Sequence, residues 1–170
     1  MIGFLTEALR RDHPRDAFAS GVEALDRYLR EVALQDVKRR VAGCFVAIAE
    51  NGGIAGFYTL AATHVPADAL PPETTKKLPR YPVIPAMLLG RLAVASTYQG
   101  QGLGRALVAD ATIRTNSLGV GAFALIVDAK DETAVGFYEA NGFTMIPNQK
   151  RRLFLPIATA LEALAQAART

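Results

Sequence analysis

A glycine-rich stretch in the middle of the chain constrains the fold more than any other sequence feature. The stretch is Tyr98-Gln99-Gly100-Gln101-Gly102-Leu103-Gly104-Arg105. An apolar run, Leu88–Val94, precedes it and has the character of a buried strand, and a segment with helical spacing of apolar residues follows it. Three glycines in five residues weaken a helix start unless the backbone conformation or a ligand requires them. The stretch therefore predicts a strand, a tight turn and a helix whose N-terminus presents backbone N–H groups to a phosphate.

Three kinds of phosphate-binding turn can be compared with this stretch. A P-loop needs Lys followed by Ser or Thr after its last glycine, and neither follows Gly104. The dinucleotide fingerprint is half matched, because Leu107 stands at the third glycine position although Asp128 ends the next apolar run at about the right distance. The pattern Q/R-x-x-G-x-G/A is filled by Gln99, Gly102 and Gly104, and it resembles the acetyl-CoA pyrophosphate loop of the GNAT N-acetyltransferase superfamily. A tight turn without any ligand is the remaining alternative.

Length and composition favour one globular domain over residues 1–170. The chain has 170 residues, 51% of them hydrophobic, which is enough for a substantial core. We expect no membrane span and no signal peptide, and the single cysteine, Cys44, fits a reducing cytoplasm. His13 and His64 have no cysteine or acidic cluster at ligand spacing, so we expect no metal site.

The first half of the chain predicts a helix followed by a hairpin. Ser20 and Glu23 form a capping-box pattern that predicts a helix running to about Arg40. Its expected buried face is formed by apolar and aromatic residues: Leu25, Tyr28, Leu29 and Val32. Asn51-Gly52-Gly53 separates two apolar runs, 44–49 and 54–61, and predicts a β-hairpin. Six of the nine prolines follow between Pro66 and Pro85, so we expect little regular structure there beyond a short helix at about 73–78.

The second half predicts a mixed sheet with helices. Leu88–Val94, the central helix and the apolar run 122–129 form a βαβ unit, so the two strands should be parallel. We expect the central helix to bury residues spaced along one face: Leu103, Leu107, Ala111 and Leu118. Asp131 opens a further helix that Asn141-Gly142 closes, a pair of strands at 143–146 and 152–155 follows, and residues 156–170 predict a helical tail.

Three regions together resemble the GNAT toxins of bacterial toxin–antitoxin pairs. They are the central region formed by Leu88–Val94 and Tyr98–Arg105, the segment Ala129–Phe143 with its Ala-Lys-Asp-Glu start, and the helix pattern Phe18–Leu29. The ending Leu153-Phe154-Leu155-Pro156 is also similar, so the resemblance covers nearly the whole chain. It implies the GNAT fold, an α/β (α+β) mixed sheet of six to seven strands with a splayed parallel pair that binds acetyl-CoA.

The resemblance also implies an activity and partners. GNAT toxins acetylate the α-amino group of aminoacyl-tRNA and block translation. Their usual partner is a ribbon-helix-helix antitoxin, through which the pair reaches operator DNA, and many are homodimers. The chain departs from the family at Gln101, where Arg is common, which removes one charge near the pyrophosphate; Ser20 or Ala19 stands where a Cys is common.

The predicted site combines a proton donor with a backbone cradle. Tyr138 is the predicted donor to the leaving thiolate, because tyrosine stays protonated at neutral pH, and we expect Phe137 in the core and Tyr138 in the cleft. By the resemblance, the cofactor contacts are Leu92, Ala93, Val94, Gln99, Gly100, Gln101, Gly102, Gly104 and Arg105. No side chain stands out as a general base, which favours an α-amine acceptor over a lysine side chain, whose pKa is much higher.

Basic residues predict contacts with tRNA phosphates. The candidates are Lys38, Arg39, Arg40, Lys76, Lys77 and Arg91, although each group could also be solvated surface. Arg91 could instead pair with an acid. Two other functions stay open, which are a metabolic or drug N-acetyltransferase acting on a small amine and a non-catalytic co-repressor module.

Overall fold

The computed structural model describes residues 4–170 as one mixed sheet of seven strands with helices. The strands are β1 (Leu5–Ala8), β2 (Gly43–Ile48), β3 (Ile54–Pro66), β4 (Val83–Val94), β5 (Ala124–Asp128), β6 (Thr144–Met145) and β7 (Arg152–Pro156). Their order across the sheet is β1-β2-β3-β4-β5-β7-β6. The β4–β5 pair is parallel, with Ala86 opposite Ala124 and Leu88 opposite Ile126, as the βαβ pattern predicts.

The helices follow the predicted order. They are α1 (Glu23–Arg27), a π-helical turn (Tyr28–Val32), α2 (Ala33–Lys38), α3 (Pro72–Thr75), α4 (Leu103–Ser117), α5 (Glu132–Ala140) and α6 (Ile157–Arg169). Asp131 caps α5 by accepting a hydrogen bond from the N–H of Ala134, and Gly142 follows α5 with a φ of +93°. The predictions that Asp131 opens α5, that Asn141-Gly142 closes it and that the chain ends in a helix are therefore confirmed.

The contacts divide the chain into two compact units. One unit holds the chain up to Ala61 together with Leu89–Ala111, and the other holds Ala62–Leu88 together with Thr112–Thr170. In the first unit the buried cluster packs α1 and α2 against β2 and β3, with Leu29, Val46 and Phe57 fully buried. In the second unit a separate cluster includes Ile126 and Ile146.

The first helix differs from its prediction in two ways. Ser20 does not cap it: the residue at the N-cap is Val22, and the Ser20 hydroxyl is hydrogen-bonded to Asp26 instead. A π-helical turn at Tyr28–Val32 then shifts the helical register by inserting an extra residue, so Val32 faces solvent and Ala33 is buried. The predicted buried face was therefore wrong at Val32.

The hairpin is confirmed, and its second strand and the strand that follows it are longer than expected. β2 and β3 pair antiparallel through the Asn51-Gly52-Gly53 turn, in which Gly52 has a φ of +84°. β3 extends to Pro66, and β4 begins at Val83 and includes Pro85. Pro85 has no N–H to donate to a neighbouring strand, and its carbonyl accepts a hydrogen bond from the N–H of Phe123 at 2.9 Å.

The central helix α4 buries the predicted face in its first turns. Leu103, Leu107 and Ala111 are all buried. Leu118 lies beyond the helix end at Ser117 and is 52% exposed, so its inclusion in that face was wrong. Helical spacing places Leu118 on the face, but the helix ends one residue earlier.

Candidate functional site

The glycine-rich loop joins β4 to α4 in the conformation that its sequence predicts. Gly100 and Gly102 have φ values of +77° and +83°, in the left-handed region where a side chain is strained. A Cβ built on either residue meets no atom within 4 Å, so backbone conformation and not crowding requires glycine there. In α4, which begins at Leu103, the first backbone hydrogen bond runs from the N–H of Ala106 to the Gly102 carbonyl at 3.1 Å, so the N–H groups before Ala106 lie ahead of the intrahelical pattern and can bind an anion.

Side chains within the loop brace it against the protein. The Gln99 amide donates to the carbonyl oxygens of Ser20 and Val94, at 2.8 Å and 2.9 Å. The Gln101 amide donates to the Thr97 carbonyl at 3.2 Å. Gln101 therefore lies along the loop, and the loop itself carries one charged side chain, Arg105, which is exposed.

The end of β4 is only partly covered. Ala93 is buried, whereas Leu92 and Val94 are partly exposed. A Cβ on Gly56 of β3 would lie 3.0 Å from the Ala93 carbonyl oxygen, so β3 approaches this part of β4 closely. The pairing of β4 with β5 covers Ala86 to Leu88 and stops before the residues predicted to contact acetyl-CoA.

Tyr138 lies on α5 and is more buried than predicted. It is 9% exposed, whereas its neighbour Phe137 is partly exposed, so the burial of the pair is the reverse of what the assignment of Phe137 to the core and Tyr138 to the cleft led us to expect. Phe137 and Phe143 contact the Tyr138 ring edge-on at 5.1 Å and 5.2 Å between centroids. Burial raises the pKa of Tyr138 to about 12, so its hydroxyl keeps its proton at neutral pH.

Arg91 stacks on an aromatic ring. Its guanidinium carbon lies 3.6 Å from the centroid of the Tyr28 ring, and the Tyr28 hydroxyl donates to Asp36 at 2.9 Å. Among residues 4–170 Arg91 makes no ion pair with an acid. The stacking restrains the guanidinium while its N–H groups stay available for a further partner.

The predicted tRNA-binding residues fall in both units. Lys38, Arg39 and Arg40 lie at the end of α2 in the first unit, and all three are exposed. Lys76 and Lys77 belong to the second unit, where Lys76 lines a surface cleft of about 540 Å³ together with Arg80 and the 62% exposed Tyr81. By contrast, two arginines outside this candidate set, Arg10 and Arg152, are ion-paired with Asp12 and Asp128.

Sequence reasoning missed the role of Ser20 and Asp26. Both are buried, and the Ser20 N–H and hydroxyl donate to the Asp26 carboxylate, at 3.0 Å and 2.6 Å. The spacing of Ser20 and Glu23 favours a helix cap, while a buried acid six residues after a serine has no standard sequence signature.

Neither a metal site nor a membrane span is found in the described chain. No group of three His, Cys, Asp or Glu side chains among residues 4–170 could hold a metal ion. None of the described helices is both long and apolar enough to cross a membrane.

A protein-family model and curated relatives match the chain. The family model, described as an acetyltransferase (GNAT) domain, matches residues 41–145. A tRNA-acetylating toxin of Mycobacterium tuberculosis (strain ATCC 25618 / H37Rv) is 35% identical over 82% of this chain and 83% of its own. A probable toxin TacT of Sinorhizobium fredii (strain NBRC 101917 / NGR234) is 27% identical over 86% of this chain and 87% of its own.

Solved structures of toxins share the fold. AtaT complexed with acetyl-methionyl-tRNAfMet superposes with a TM-score of 0.85 at 31% identity, covering 96% of this chain and 99% of that one. AtaTR bound with AcCoA has a TM-score of 0.80 at 30% identity, covering 95% and 98% of the two chains. A tyrosine-to-phenylalanine mutant of KacT has a TM-score of 0.85 at 27% identity, covering 94% and 98%.

Proposed function

The chain belongs to the GNAT acetyltransferase family, and we propose that it acetylates the α-amino group of aminoacyl-tRNA as the toxin of a toxin–antitoxin pair. The observation that carries the proposal is its 35% identity over 82% of the chain to a tRNA-acetylating toxin. The similarity to AtaT, solved with acetyl-methionyl-tRNAfMet, supports the same acceptor. Acetylation of the α-amine removes the nucleophile that peptide bond formation needs, so translation stops.

The glycine-rich loop fits the pyrophosphate of acetyl-CoA. Its two positive-φ glycines expose the backbone, and the positive end of the α4 dipole favours an anion. We assign the pyrophosphate contacts to the N–H groups of Gln101, Gly102, Gly104 and Arg105, and we assign Gly100 to the turn that aims them. Gln101 in place of the arginine common in the family lowers the positive charge beside this anion.

We assign two tasks in acetyl transfer to the protein, which are holding the acetyl group and supplying a proton to the leaving thiolate. Acetyl-CoA supplies an activated acetyl thioester when it is bound. Backbone groups of Leu92, Ala93 and Val94 hold the acetyl and pantetheine portion, and hydrogen bonding to the carbonyl would favour attack by the amine. Tyr138 supplies a proton to the departing thiolate, and its desolvated hydroxyl, with a pKa raised to about 12, is fully protonated at neutral pH.

We assign contacts with the tRNA to lysine and arginine side chains. Lys38, Arg39 and Arg40 lie in one unit and Lys76 and Lys77 in the other. Arg91, whose guanidinium stacks on Tyr28 without an ion pair among the described residues, is assigned to a phosphate or to the 3′ end of the substrate. Contacts of this type add affinity with little sequence readout.

The partners are proposed from the relatives. AtaT has been solved with the C-terminus of the antitoxin AtaR, and the AtaT–AtaR complex has been solved bound to DNA. We propose a ribbon-helix-helix antitoxin for this chain, contact with operator DNA through that antitoxin, and a homodimeric toxin. We propose a cytoplasmic location, where aminoacyl-tRNA is present.

The test is transfer of labelled acetyl from acetyl-CoA to total tRNA, charged and deacylated side by side. We expect label on charged tRNA alone, and a loss of about a hundredfold or more with Tyr138→Phe, which removes the proton while keeping the ring. Label on neither sample, with thiol release when small amines are added, would replace the proposal with a small-amine acetyltransferase. A wild-type protein that labels no tRNA, together with no growth difference between the wild type and Tyr138→Phe, would indicate the non-catalytic co-repressor role.

A further inference from the structure

Both N–H donors of the Gln99 side-chain amide are used within the protein. Its amide nitrogen carries two hydrogens, and it donates to the Ser20 carbonyl at 2.8 Å and to the Val94 carbonyl at 2.9 Å. Both donors of the amide are therefore used inside the protein. Although Gln99 opens the loop that matches the acetyl-CoA pattern, its amide N–H groups are not available to a ligand.

The residue that Gln99 reaches is itself anchored. The Ser20 N–H and hydroxyl both donate to the Asp26 carboxylate, at 3.0 Å and 2.6 Å, and both residues are less than a tenth exposed. A parallel link lies beside it, since the Ser96 N–H donates to the Ala19 carbonyl at 2.8 Å. Asp26 belongs to α1, so a chain of hydrogen bonds runs from the first helix to the start of the loop.

The loop needs such an anchor because its own sequence does not fix its shape. Gly100 and Gly102 have positive φ values, and a Cβ at either position would meet nothing within 4 Å, so no packed side chain restrains them. Glycine has the widest choice of backbone conformations. A binding loop whose N–H groups must converge on one anion binds more tightly when that shape is set beforehand.

We propose that Gln99, Ser20 and Asp26 are positioning residues that fix the loop in its acetyl-CoA-binding shape. Gln99 ties the loop to the end of β4 at Val94 and to the segment before α1 at Ser20, and Asp26 holds Ser20 in place. The inference rests on the proposed function only for the identity of the ligand, acetyl-CoA. Ser20 and Asp26 take no part in the proposed acetyl transfer, and this inference gives them a role in binding the cofactor.

The test is a double-mutant cycle read by acetyl-CoA affinity. Gln99→Met keeps the length of the side chain and removes both donors without adding charge, and Asp26→Asn perturbs the far end of the link. Tyr58→Phe is the control, because it removes a hydrogen bond to Asp110 in the same unit without touching the link. Isothermal titration calorimetry gives the Kd for acetyl-CoA, and thermal unfolding without ligand gives the Tm.

We expect Gln99→Met to raise the Kd about ten- to thirtyfold, the equivalent of losing two ordinary hydrogen bonds. Asp26→Asn should raise it about fivefold, and the double variant should bind no more weakly than Gln99→Met, since one link is already broken. Tyr58→Phe should lower the Tm and leave the Kd unchanged. If Asp26→Asn does not fold, Ser20→Ala replaces it, because it removes one of the same hydrogen bonds.

Several outcomes would overturn the inference. These are an unchanged Kd for Gln99→Met, fully additive effects in the double variant, or a Kd that rises as much for Tyr58→Phe as for Gln99→Met. A wild-type protein that binds no acetyl-CoA would also overturn it. Because the readout contains no tRNA, a failure to acetylate aminoacyl-tRNA would refute the proposed function while leaving the loop inference intact.

Discussion

A left-handed glycine in the loop should matter far more for binding acetyl-CoA than for stability. Gly102 immediately precedes α4 with a φ of +83°, and a Cβ there would meet nothing within 4 Å. Gly119, two residues beyond the end of α4, offers a matched position with a φ of +69° and the same open surroundings. Gly102→Ala and Gly119→Ala therefore impose the same kind of strain at two sites, only one of which belongs to the loop.

The magnitude of the strain follows from this geometry. Without steric contacts, the cost of alanine is that of its left-handed backbone, about 1–2 kcal/mol. Restriction of the unfolded chain by alanine offsets about 0.4–1 kcal/mol of that cost. We expect each variant to lose about 1 kcal/mol of stability, which lowers the Tm by about 2–4 °C for a chain of this size.

Gly102→Ala and Gly119→Ala should differ in their affinity for acetyl-CoA. Because nothing packs around a Cβ at position 102, the alanine in the Gly102→Ala variant lowers its strain by shifting its φ away from +83°, and this shift rotates the neighbouring N–H groups away from the pyrophosphate. The loss of one charge-assisted hydrogen bond is equivalent to about 1.5–3 kcal/mol, so the Kd of Gly102→Ala should rise by about ten- to a hundredfold. Gly119→Ala should bind acetyl-CoA as the wild type does, because that turn is not part of the loop.

Calorimetry gives the Kd for acetyl-CoA and thermal unfolding gives the Tm, and together they test whether the positive φ of Gly102 serves acetyl-CoA binding. The assignment of the loop predicts equal losses of Tm and a large difference in Kd. Wild-type affinity in Gly102→Ala would refute the reasoning, because the positive φ at this position would then serve only the turn. Equal weakening by Gly119→Ala would show that affinity follows global stability and not the loop.

Three further outcomes are expected. Because burial raises the pKa of Tyr138 to about 12, the acetylation rate should rise between about pH 6 and 8 as the amine loses its proton, with no decline up to about pH 9; a decline there that is absent in Tyr138→Phe would show that Tyr138 loses its proton well below pH 12 and would contradict the raised pKa. Burial likewise raises the pKa of the Cys44 thiol to about 12, so a thiol reagent at about pH 8 should modify the protein only after unfolding, and rapid labelling of the native protein would contradict this. Replacing Lys38, Arg39 and Arg40 by alanine should weaken tRNA binding and flatten its dependence on salt between about 50 and 200 mM, without changing the Kd for acetyl-CoA, and an unchanged salt slope would show that these side chains are solvated surface.

The parts of the fold that depend on local patterns could be predicted from the sequence. The Asn51-Gly52-Gly53 hairpin, the parallel pairing of β4 and β5, and the Asp131 cap of α5 all follow from turn chemistry and periodicity, and all are present. β1 was missed because Leu5–Ala8 is short and lies at the edge of the sheet, where its burial pattern does not alternate clearly. The prediction of a single domain over residues 1–170 stays a prediction.

The errors arise where long-range contacts override local signals. Ser20 has the sequence context of a helix cap, but its hydroxyl gains a stronger partner in the buried carboxylate of Asp26. The π-helical turn at Tyr28–Val32 cannot be read from spacing, because it changes the period on which the spacing argument depends. The rule that neighbours on a helix point apart separates Tyr138 from Phe137 without saying which of the two is buried.

The state of Tyr138 bears on the choice of acceptor. A tyrosine with a pKa of about 12 holds its proton at neutral pH and therefore cannot take one from an incoming amine. The acceptor must then arrive neutral, unless another group removes its proton. At about pH 7 an α-amine with a pKa near ~7.8 is about 14% neutral, whereas a lysine side chain with a pKa near ~10.4 is about 0.04% neutral. This difference of about three hundredfold favours the α-amino group of aminoacyl-tRNA over a protein lysine, and a single buried proton donor is sufficient for that substrate.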